Sequence, residues 1–182
     1  MHPQQDIARV SGVRARKEHA ADAEARPDAG RYHAVLPAPK CRLGAIFDGD
    51  TLIRLDFLPN DAPLQADANA RTAHLAAELD AYWADPNHVF DLPFDARGTA
   101  FRRRVWDVLS RIPRGTPTTY GQLAAALGSA PRAVGQACGA NPLPILIPCH
   151  RVLGAKGLGG FMHTRDTGPL ELKAWLLEHE AQ

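Results

Sequence analysis

The sequence predicts two joined domains, a small α/β domain over residues 31–96 and a mostly α-helical domain over residues 97–182. Two observations support this division. Strand-like alternation of apolar and polar residues dominates the first part, whereas apolar residues at helical spacing dominate the second. The balance of basic and acidic residues also changes at this boundary. Residues 1–96 hold 10 Lys and Arg against 15 Asp and Glu, and residues 97–182 hold 11 against 5.

Residues 1–30 predict a disordered tail, because they are polar, rich in alanine and free of Phe, Trp and Tyr. Their basic residues accompany no apolar segment, so we do not expect a secretory signal. The sequence has no run of about 18 apolar residues, which predicts no membrane contact. We therefore expect a cytoplasmic protein.

Three strands and a hairpin are predicted at the start of the α/β domain. The first strand covers residues 32–36. Residues 43–47 and 51–58 lie on either side of Asp-Gly-Asp at 48–50, which is typical of a hairpin turn. In the third strand apolar residues alternate with charged ones, which indicates one buried and one solvated face.

A helix over residues 69–84 and a further strand over residues 89–94 complete this domain. The helix carries apolar and aromatic residues at the spacing of one face, namely Leu75, Leu79, Tyr82 and Trp83. Asp-Pro-Asn at 85–87 ends it. We find no pattern of catalytic meaning in residues 31–96.

The first and last helices of the second domain carry apolar stripes. Thr99 is a good N-cap for the first, whose stripe ends near Ile112 with Trp106 at its edge. The last helix covers about residues 169–180. Four glycines in residues 154–160 would allow the backbone to approach a flat ligand, although a flexible connector would have the same composition.

Two short helices lie between these. Thr119 and Gln122 form a capping box for a helix over residues 120–127. A Gly-containing turn at 128–130 follows, and Pro131 is favourable at the first position of a helix over residues 131–139. This arrangement predicts a helix-turn-helix, although two packed helices without a DNA role would give the same pattern.

Arginine is concentrated in the region of these helices. Residues 97–151 hold eight Arg and a single acidic residue, Asp107. Such a basic segment beside an acidic half of the chain indicates binding to a polyanion. A solvated helix face is the alternative.

Cys149 stands directly before His150, between an apolar run and Arg151. The thiolate is the nucleophilic form of cysteine, and a neighbouring imidazole or cation favours it. A reducing cytoplasm suits such a free thiol. For Cys41 and Cys138 we expect the role of small buried apolar residues. The three cysteines form no CxxC pair, so neither a disulfide framework nor a metal site is expected, and no cofactor is implied.

Nine different short motifs lie along the second domain. They are at residues 97–101, 105–106, 112–113, 120–124, 132–137, 141–142, 148–152, 158–161 and 173–180. This series resembles the O6-alkylguanine-DNA alkyltransferases, which repair alkylated DNA by moving the alkyl group onto their own cysteine. The resemblance implies a small ribonuclease-H-like sheet in the first domain. It implies a winged helix-turn-helix-like arrangement in the second.

The resemblance also implies the chemistry of the site. Cys149 would attack the alkyl carbon of O6-alkylguanine or O4-alkylthymine in a single turnover. His150 would take the thiol proton through a bound water, and Glu180 would hold the imidazole in the correct tautomer. Tyr120 would support protonation of the base, and Asn141 would stabilise the turn that carries Cys149.

The same resemblance implies how the base is bound. The carbonyl groups of Cys149 and Val152 would accept hydrogen bonds from its exocyclic amine. The amide of Met162 would face O6, and Phe161 would line the pocket. Arg151 is expected to support the structure rather than to react.

Double-stranded DNA is the implied partner, and a monomer is expected. The target nucleotide would be flipped out of the duplex, with Arg132 filling the space it leaves. The second helix of the helix-turn-helix would enter the minor groove, with Gln136 at the surface. Its small residues suit close approach to a groove floor, namely Ala133, Gly135, Ala137 and Gly139.

Three features depart from the family pattern. The turn at residues 128–131 is shorter than the commoner version, which affects the expected role of Arg132. Arg102 stands where Gln is usual. The loop over residues 161–168 is longer than usual, which affects the expected pocket size.

Three other functions fit parts of the pattern. An alkylation-damage-binding protein without transfer activity would resemble the family but lack the cysteine at 149. A transcription regulator with a helix-turn-helix would be expected to carry a metal-bound cysteine module, which residues 1–30 are too short to form. A cysteine hydrolase could use Cys149, His150 and Glu180 as a triad, but it has no use for Arg132.

Overall fold

The computed structural model describes residues 31–66, 68–162 and 167–182. Within these ranges the chain forms a four-stranded sheet, a two-stranded sheet and five α-helices, which is an α/β fold. The tail expected over residues 1–30 lies outside the described residues. None of the described helices is both long and apolar enough to cross a membrane.

The first part of the chain forms the four-stranded antiparallel sheet. Its strands lie in the order β3-β2-β1-β4 and are β1 (Ala34–Pro37), β2 (Arg42–Asp48), β3 (Thr51–Leu58) and β4 (Gln65–Ala66). The predicted hairpin is confirmed, since Asp48 pairs with Thr51 across a turn in which Gly49 has a φ of 59°. Glycine tolerates that left-handed conformation. The sequence does not predict β4, because two residues are too few to show alternation.

Helix α1 (Ala70–Ala84) confirms the helix predicted over residues 69–84. Asn69 is its N-cap and accepts a hydrogen bond from the amide of Thr72. Three side chains of the predicted apolar face are at most 1% exposed and enter the core, namely Leu75, Leu79 and Tyr82.

The strand predicted over residues 89–94 is wrong. The segment is irregular, and of its residues only Phe94 joins the sheet, through an isolated bridge to Leu52. A hydrogen bond from the amide of Leu52 to the carbonyl of Pro93, at 2.9 Å, supports this bridge. Pro93 has no amide hydrogen to contribute to a ladder, which explains why apolar residues here do not form a regular strand.

The helices predicted in the second part are confirmed. They are α2 (Ala100–Leu109), α3 (Tyr120–Leu127), α4 (Pro131–Gly139) and α5 (Thr167–His179). Thr99 caps α2, and Thr119 with Gln122 forms the capping box of α3. Gly128 ends α3 with a φ of 60°, so a tight turn joins α3 to α4. Helix α5 begins two residues before its predicted start.

Trp106 lies inside the core, not at the edge of the α2 stripe as predicted. Its side chain is 2% exposed, and its indole Nε1 donates to the carbonyl of Ala137 in α4 at 2.8 Å. A buried indole N–H needs such a partner. Gly98 is required beside it, because a Cβ there would lie 2.5 Å from the Trp106 ring. The contact fixes α2 against α4.

A short parallel sheet brings two distant segments together. Strand β5 (Thr118–Thr119) leads into α3 and pairs with β6 (Val152–Leu153), which follows Cys149 by three residues. The start of α3 therefore lies beside the chain that leaves Cys149. Both strands are too short to be predicted from alternation.

Candidate active site

Cys149 begins a short 3-10 turn, Cys149–Arg151, and its residue is 6% exposed. Asn141 spans the loop before it. The Nδ2 of Asn141 donates to the carbonyl of Ile147 at 2.7 Å, and its Oδ1 accepts from the amide of Leu143 at 3.0 Å. These two bonds connect Asn141 to both ends of the segment over residues 143–147, which leads to Cys149.

The same loop contains an unusual backbone conformation at Ile145, whose φ is 77°. A β-branched residue rarely adopts this left-handed region. Ile145 is 3% exposed, so its side chain is held by the core. Unfavourable backbone conformations persist only where their surroundings enforce them, and they cluster at functional sites.

The thiol of Cys149 is protonated in this environment. Burial raises its pKa above the ordinary value, and a hydrogen bond with Asn141 and the charge of Lys173 offset this only in part. The thiolate is the reactive form, so the site needs a base that accepts the proton.

His150 is that candidate base and has no solvent exposure. Its Nε2 lies 3.0 Å from Oε1 of Glu180, within ion-pair distance, although the ring is not oriented for a well-formed hydrogen bond. Its Nδ1 is buried and has no hydrogen-bond partner among the described residues. Burial lowers the pKa of His150 more than the carboxylate of Glu180 raises it. The imidazole is therefore neutral at pH 7 and can accept a proton.

Glu180 is a buried carboxylate with several donors. Arg151 donates to both of its oxygens at 2.7 Å, and the hydroxyl of Tyr82 donates to Oε1 at 2.9 Å. Burial alone would raise the pKa of Glu180, but the hydrogen bonds from Arg151 and the nearby His150 outweigh this effect and hold the pKa far below its usual range. The carboxylate is therefore ionised beside His150.

Lys173, which is not among the predicted site residues, also lies at this site. Its side chain is buried, and its Nζ donates to the carbonyl groups of Val152, Leu158 and Gly160 at 2.6, 2.7 and 3.1 Å. Burial lowers the pKa of Lys173 to about 8. A signal was present in the sequence, because Lys173 lies on the same helical stripe as Leu176.

Tyr120 lies against the glycine-rich loop. Its hydroxyl donates to the carbonyl of Gly160 at 3.1 Å, so in this structure the hydroxyl is engaged within the protein. A Cβ at Gly159 would lie 3.0 Å from the Tyr120 ring and 2.9 Å from the amide nitrogen of Gly154. The glycines therefore permit a close contact between the loop and Tyr120.

The other expected pocket residues lie on either side of this loop in the sequence. Phe161 is buried and Met162 is half-buried with a φ of 51°. Val152 is buried, and its carbonyl, expected to face the base, accepts from Lys173. A carbonyl has a second lone pair, so this bond does not prevent a further one. Residues 163–166 of the long loop lie outside the described residues.

The expected DNA-binding residues lie on α4. Arg132 and Gln136 are exposed, and Ala133 and Gly135 are half-buried. The opposite face of α4 is in the core, where Ala137 accepts from Trp106. Arg132 therefore lies on the exposed side of α4.

The eight arginines of residues 97–151 do not form one free basic surface. Arg97 forms ion pairs with Asp48 and Asp95, and Arg151 is buried against Glu180. Arg114 donates to backbone carbonyl groups of the loop after α1. Part of the predicted polyanion surface therefore consists of structural contacts. Five arginines remain exposed and make no ion pair among the described residues, namely Arg102, Arg103, Arg104, Arg111 and Arg132. Of these, Arg104 donates to the carbonyl of Leu127.

The remaining cysteines behave as buried apolar residues. Cys41 and Cys138 are free and buried, and burial raises the pKa of each thiol to about 12. Among the described residues, no group of three or more His, Cys, Asp or Glu side chains is placed to hold a metal ion.

The sequence matches known proteins over most of its length. Residues 100–182 match the model of the 6-O-methylguanine DNA methyltransferase, DNA binding domain. The chain is similar to the constitutive methylated-DNA–protein-cysteine methyltransferase of Bacillus subtilis strain 168, with 36% identity over 160 residues, 82% of this chain and 94% of that protein. It is similar to the Haemophilus influenzae protein of the same type, with 35% identity over 158 residues, 82% of this chain and 86% of that protein.

Solved structures are similar over the same extent. The crystal structure of Mycobacterium tuberculosis O6-methylguanine methyltransferase superposes with a TM-score of 0.69 and 36% identity, covering 82% of this chain and 92% of that chain. A crystal structure of Mycobacterium tuberculosis OGT in complex with DNA superposes with a TM-score of 0.67 and 35% identity, covering 81% of this chain and 91% of that chain. The similarity therefore extends well before residue 100.

Proposed function

The chain belongs to the methylated-DNA–protein-cysteine methyltransferase family, and we propose that it repairs DNA by transferring the alkyl group of O6-alkylguanine to Cys149. O4-alkylthymine is a second substrate of the same reaction. The observation that carries the proposal is the buried pair of Glu180 and His150, the residue directly after Cys149 in the chain. A neutral imidazole lies 3.0 Å from an ionised carboxylate, and the residue before the imidazole carries a buried, protonated thiol.

The reaction begins with removal of the thiol proton. His150 accepts it, in the family through a water. Its Nδ1 has neither a hydrogen bond nor an ion pair among the described residues, whereas its Nε2 lies 3.0 Å from Oε1 of Glu180. Glu180, ionised and fixed by Arg151, stabilises the imidazolium that forms. The charge of Lys173 favours the thiolate.

The thiolate of Cys149 then attacks the alkyl carbon in line with the C–O6 bond. A C–S bond forms, the C–O6 bond breaks, and its electron pair stays with the guanine. The thiol proton finally resides on the guanine, so atoms and charge balance. Tyr120 supports this protonation, which requires its hydroxyl to exchange the carbonyl of Gly160 for the base. The pocket is formed by the carbonyl groups of Cys149 and Val152, the amide of Met162 and the ring of Phe161.

The lesion reaches this pocket by base flipping from double-stranded DNA. Residues 97–182 act as a winged helix-turn-helix-like domain whose α4 lies in the minor groove. Arg132 fills the space of the flipped base, and Ala133, Gly135 and Gln136 lie along the groove. Residues 31–96 form a ribonuclease-H-like domain. The protein acts as a monomer in the cytoplasm.

Transfer is stoichiometric, because a thioether is not hydrolysed by any group described in the site. The test is a titration of a duplex with one O6-methylguanine against increasing protein, followed by measurement of the remaining lesion. We expect loss of one lesion per protein molecule and no further turnover. Cys149→Ser is the matched control, which should bind the duplex and remove nothing. Binding of the lesion by the wild-type protein without its loss would instead indicate a damage-binding protein.

A further inference from the structure

Tyr82, which is 98 residues before Glu180 in the sequence, donates a hydrogen bond from its hydroxyl to the proposed site. It lies on α1, and its hydroxyl donates to Oε1 of Glu180 at 2.9 Å in a buried contact. We propose that Tyr82 is a positioning residue for alkyl transfer, which holds the Glu180 carboxylate in the orientation that faces His150. The inference rests on the proposed function and extends the reacting site into the α/β part of the chain.

The contacts of the carboxylate distinguish Tyr82 from Arg151. Arg151 donates to both oxygens, with Nε on Oε2 and Nη2 on Oε1, each at 2.7 Å. Tyr82 contacts only Oε1, which is also the oxygen 3.0 Å from Nε2 of His150. Arg151 therefore fixes the plane of the carboxylate, whereas Tyr82 fixes the oxygen that the imidazole meets.

Tyr82 is itself held firmly. Its side chain is 1% exposed, and its ring lies 4.9 Å from Trp83, 5.4 Å from Phe90 and 5.1 Å from His179, measured between ring centroids. Its backbone carbonyl is 2.9 Å from Nε2 of His179, one residue before Glu180. Burial and the adjacent carboxylate raise the pKa of Tyr82 far above its usual value. The hydroxyl is therefore protonated and able to donate at neutral pH.

A donor on a carboxylate withdraws part of its negative charge. Without the Tyr82 hydroxyl, Glu180 would attract a proton on His150 more strongly, and the imidazolium would persist to higher pH. The other charged groups that face His150 are Arg151 and Lys173, and both oppose its protonation. Removal of the Tyr82 hydroxyl leaves these two groups unchanged, so only the effect of Glu180 on the pKa of His150 changes. The acid half-point of the alkyl-transfer rate should therefore move to higher pH.

The experiment compares Tyr82→Phe with Tyr32→Phe. Tyr32 is a matched control, because its hydroxyl also donates to a carboxylate, at 3.0 Å, but the acceptor is Asp56 in β3. The second-order rate constant of methyl transfer from an O6-methylguanine duplex is measured from about pH 5 to about pH 9. We expect Tyr82→Phe to be slower by about tenfold at neutral pH, a part of what general base catalysis contributes. Its acid half-point should be raised, while Tyr32→Phe matches the wild-type protein.

Two further measurements exclude a packing effect. In a His150→Ala background Tyr82→Phe should cause no additional loss of rate, since the carboxylate acts through the imidazole. An equal loss in both backgrounds, with an unchanged pH profile, would overturn the proposal. If Tyr82→Phe does not fold, 3-fluorotyrosine at position 82 strengthens the donor and should lower the acid half-point, and no shift would overturn the proposal.

The outcome also separates this inference from the proposed function. If the wild-type protein transfers the methyl group and Tyr82→Phe matches Tyr32→Phe in rate and pH dependence, the role of Tyr82 is wrong and the function stands. If the wild-type protein transfers nothing, the proposed function fails and this inference fails with it.

Discussion

Arg151 donates one hydrogen bond to each oxygen of Glu180, and both bonds are 2.7 Å long. The two side chains are 10% and 1% exposed, so the pair is buried. A third donor of Arg151, Nη1, reaches the carbonyl of Ile112 at 2.5 Å, just beyond the end of α2. The pair therefore joins the segment after α2, the Cys149 turn and the residue that follows α5. It also keeps an ionised carboxylate beside His150.

Replacing Glu180 by Gln should lower the free energy of unfolding by about 3–5 kcal/mol at neutral pH, because Arg151 remains buried without its counterion. Chemical denaturation measures this, and Glu178→Gln, at an exposed neighbouring position, should change little. The pKa of Glu180 is lowered by folding, so its stabilisation is present above its unfolded pKa of about 4.3 and is lost as pH falls through the folded value. The difference in free energy of unfolding between the wild-type protein and Glu180→Gln should become smaller below about pH 4. A Glu180→Gln protein as stable as the wild-type protein at neutral pH would contradict this prediction.

The rate of alkyl transfer should fall on the acid side with a half-point below about pH 6.5, the ordinary pKa of histidine. The reason is that burial lowers the pKa of His150, and the imidazole must be neutral to accept the thiol proton. Single-turnover rates with an O6-methylguanine duplex measure this profile. A half-point clearly above the ordinary histidine value would show that His150 is not the base.

Arg132→Ala should weaken base flipping more than it weakens overall DNA binding. Arg132 is exposed at the start of α4, and stabilising the extrahelical base offsets an unstacking cost of a few kcal/mol. Fluorescence of a base analogue opposite the lesion reports flipping, and a binding titration reports affinity. Arg103→Ala, on the exposed side of α2, is the control for loss of a charge. Equal losses in flipping and affinity would reduce Arg132 to a phosphate contact.

Lys173→Met should lower the free energy of unfolding by about 3 kcal/mol, because three carbonyl groups between β6 and Gly160 lose a charged donor. The same loop borders Tyr120, so affinity for lesion-containing DNA should fall as well. Lys156→Met, at an exposed position of this loop, is the matched control. A Lys173→Met protein as stable as Lys156→Met would show that the three hydrogen bonds contribute little.

Methylation of Cys149 should lower the melting temperature of the protein. The thiol is in a packed site with 6% exposure, and extra volume in such a site costs about 1–3 kcal/mol. Thermal unfolding before and after complete reaction measures the change, with Cys149→Ser incubated with the same DNA as control. A melting temperature that stays the same or rises after full reaction would contradict this prediction.

Much of the fold was predictable because its helices have strong local signals. Thr99, Thr119 with Gln122, and Pro131 each mark a helix start that the structure contains. The hairpin at residues 48–51 has an equally local signal. The two-residue strands β4, β5 and β6 were not predictable, because pairing between distant segments forms them. The segment over residues 89–94 is the opposite case, because its apolar residues predicted a strand that the structure does not contain.

The candidate site was predictable as a set of residues but not as a network. His150 and Glu180, which are 30 residues apart in the sequence, lie 3.0 Å apart between Nε2 and Oε1. Tyr82 was correctly predicted to face the core, yet its partner Glu180 is far along the chain, and periodicity identifies faces rather than partners. Lys173 occupies an apolar stripe, where a lysine indicates buried carbonyl partners that only the tertiary structure supplies.

Intact-protein mass spectrometry tests the central claim most directly, after the protein is mixed with an excess of a short duplex that carries one O6-methylguanine. The account predicts a gain of one methyl group that saturates at one per protein molecule and maps to Cys149, and no gain in Cys149→Ser. An unchanged mass despite tight binding of the lesion duplex, or a methyl group on another residue, would contradict it.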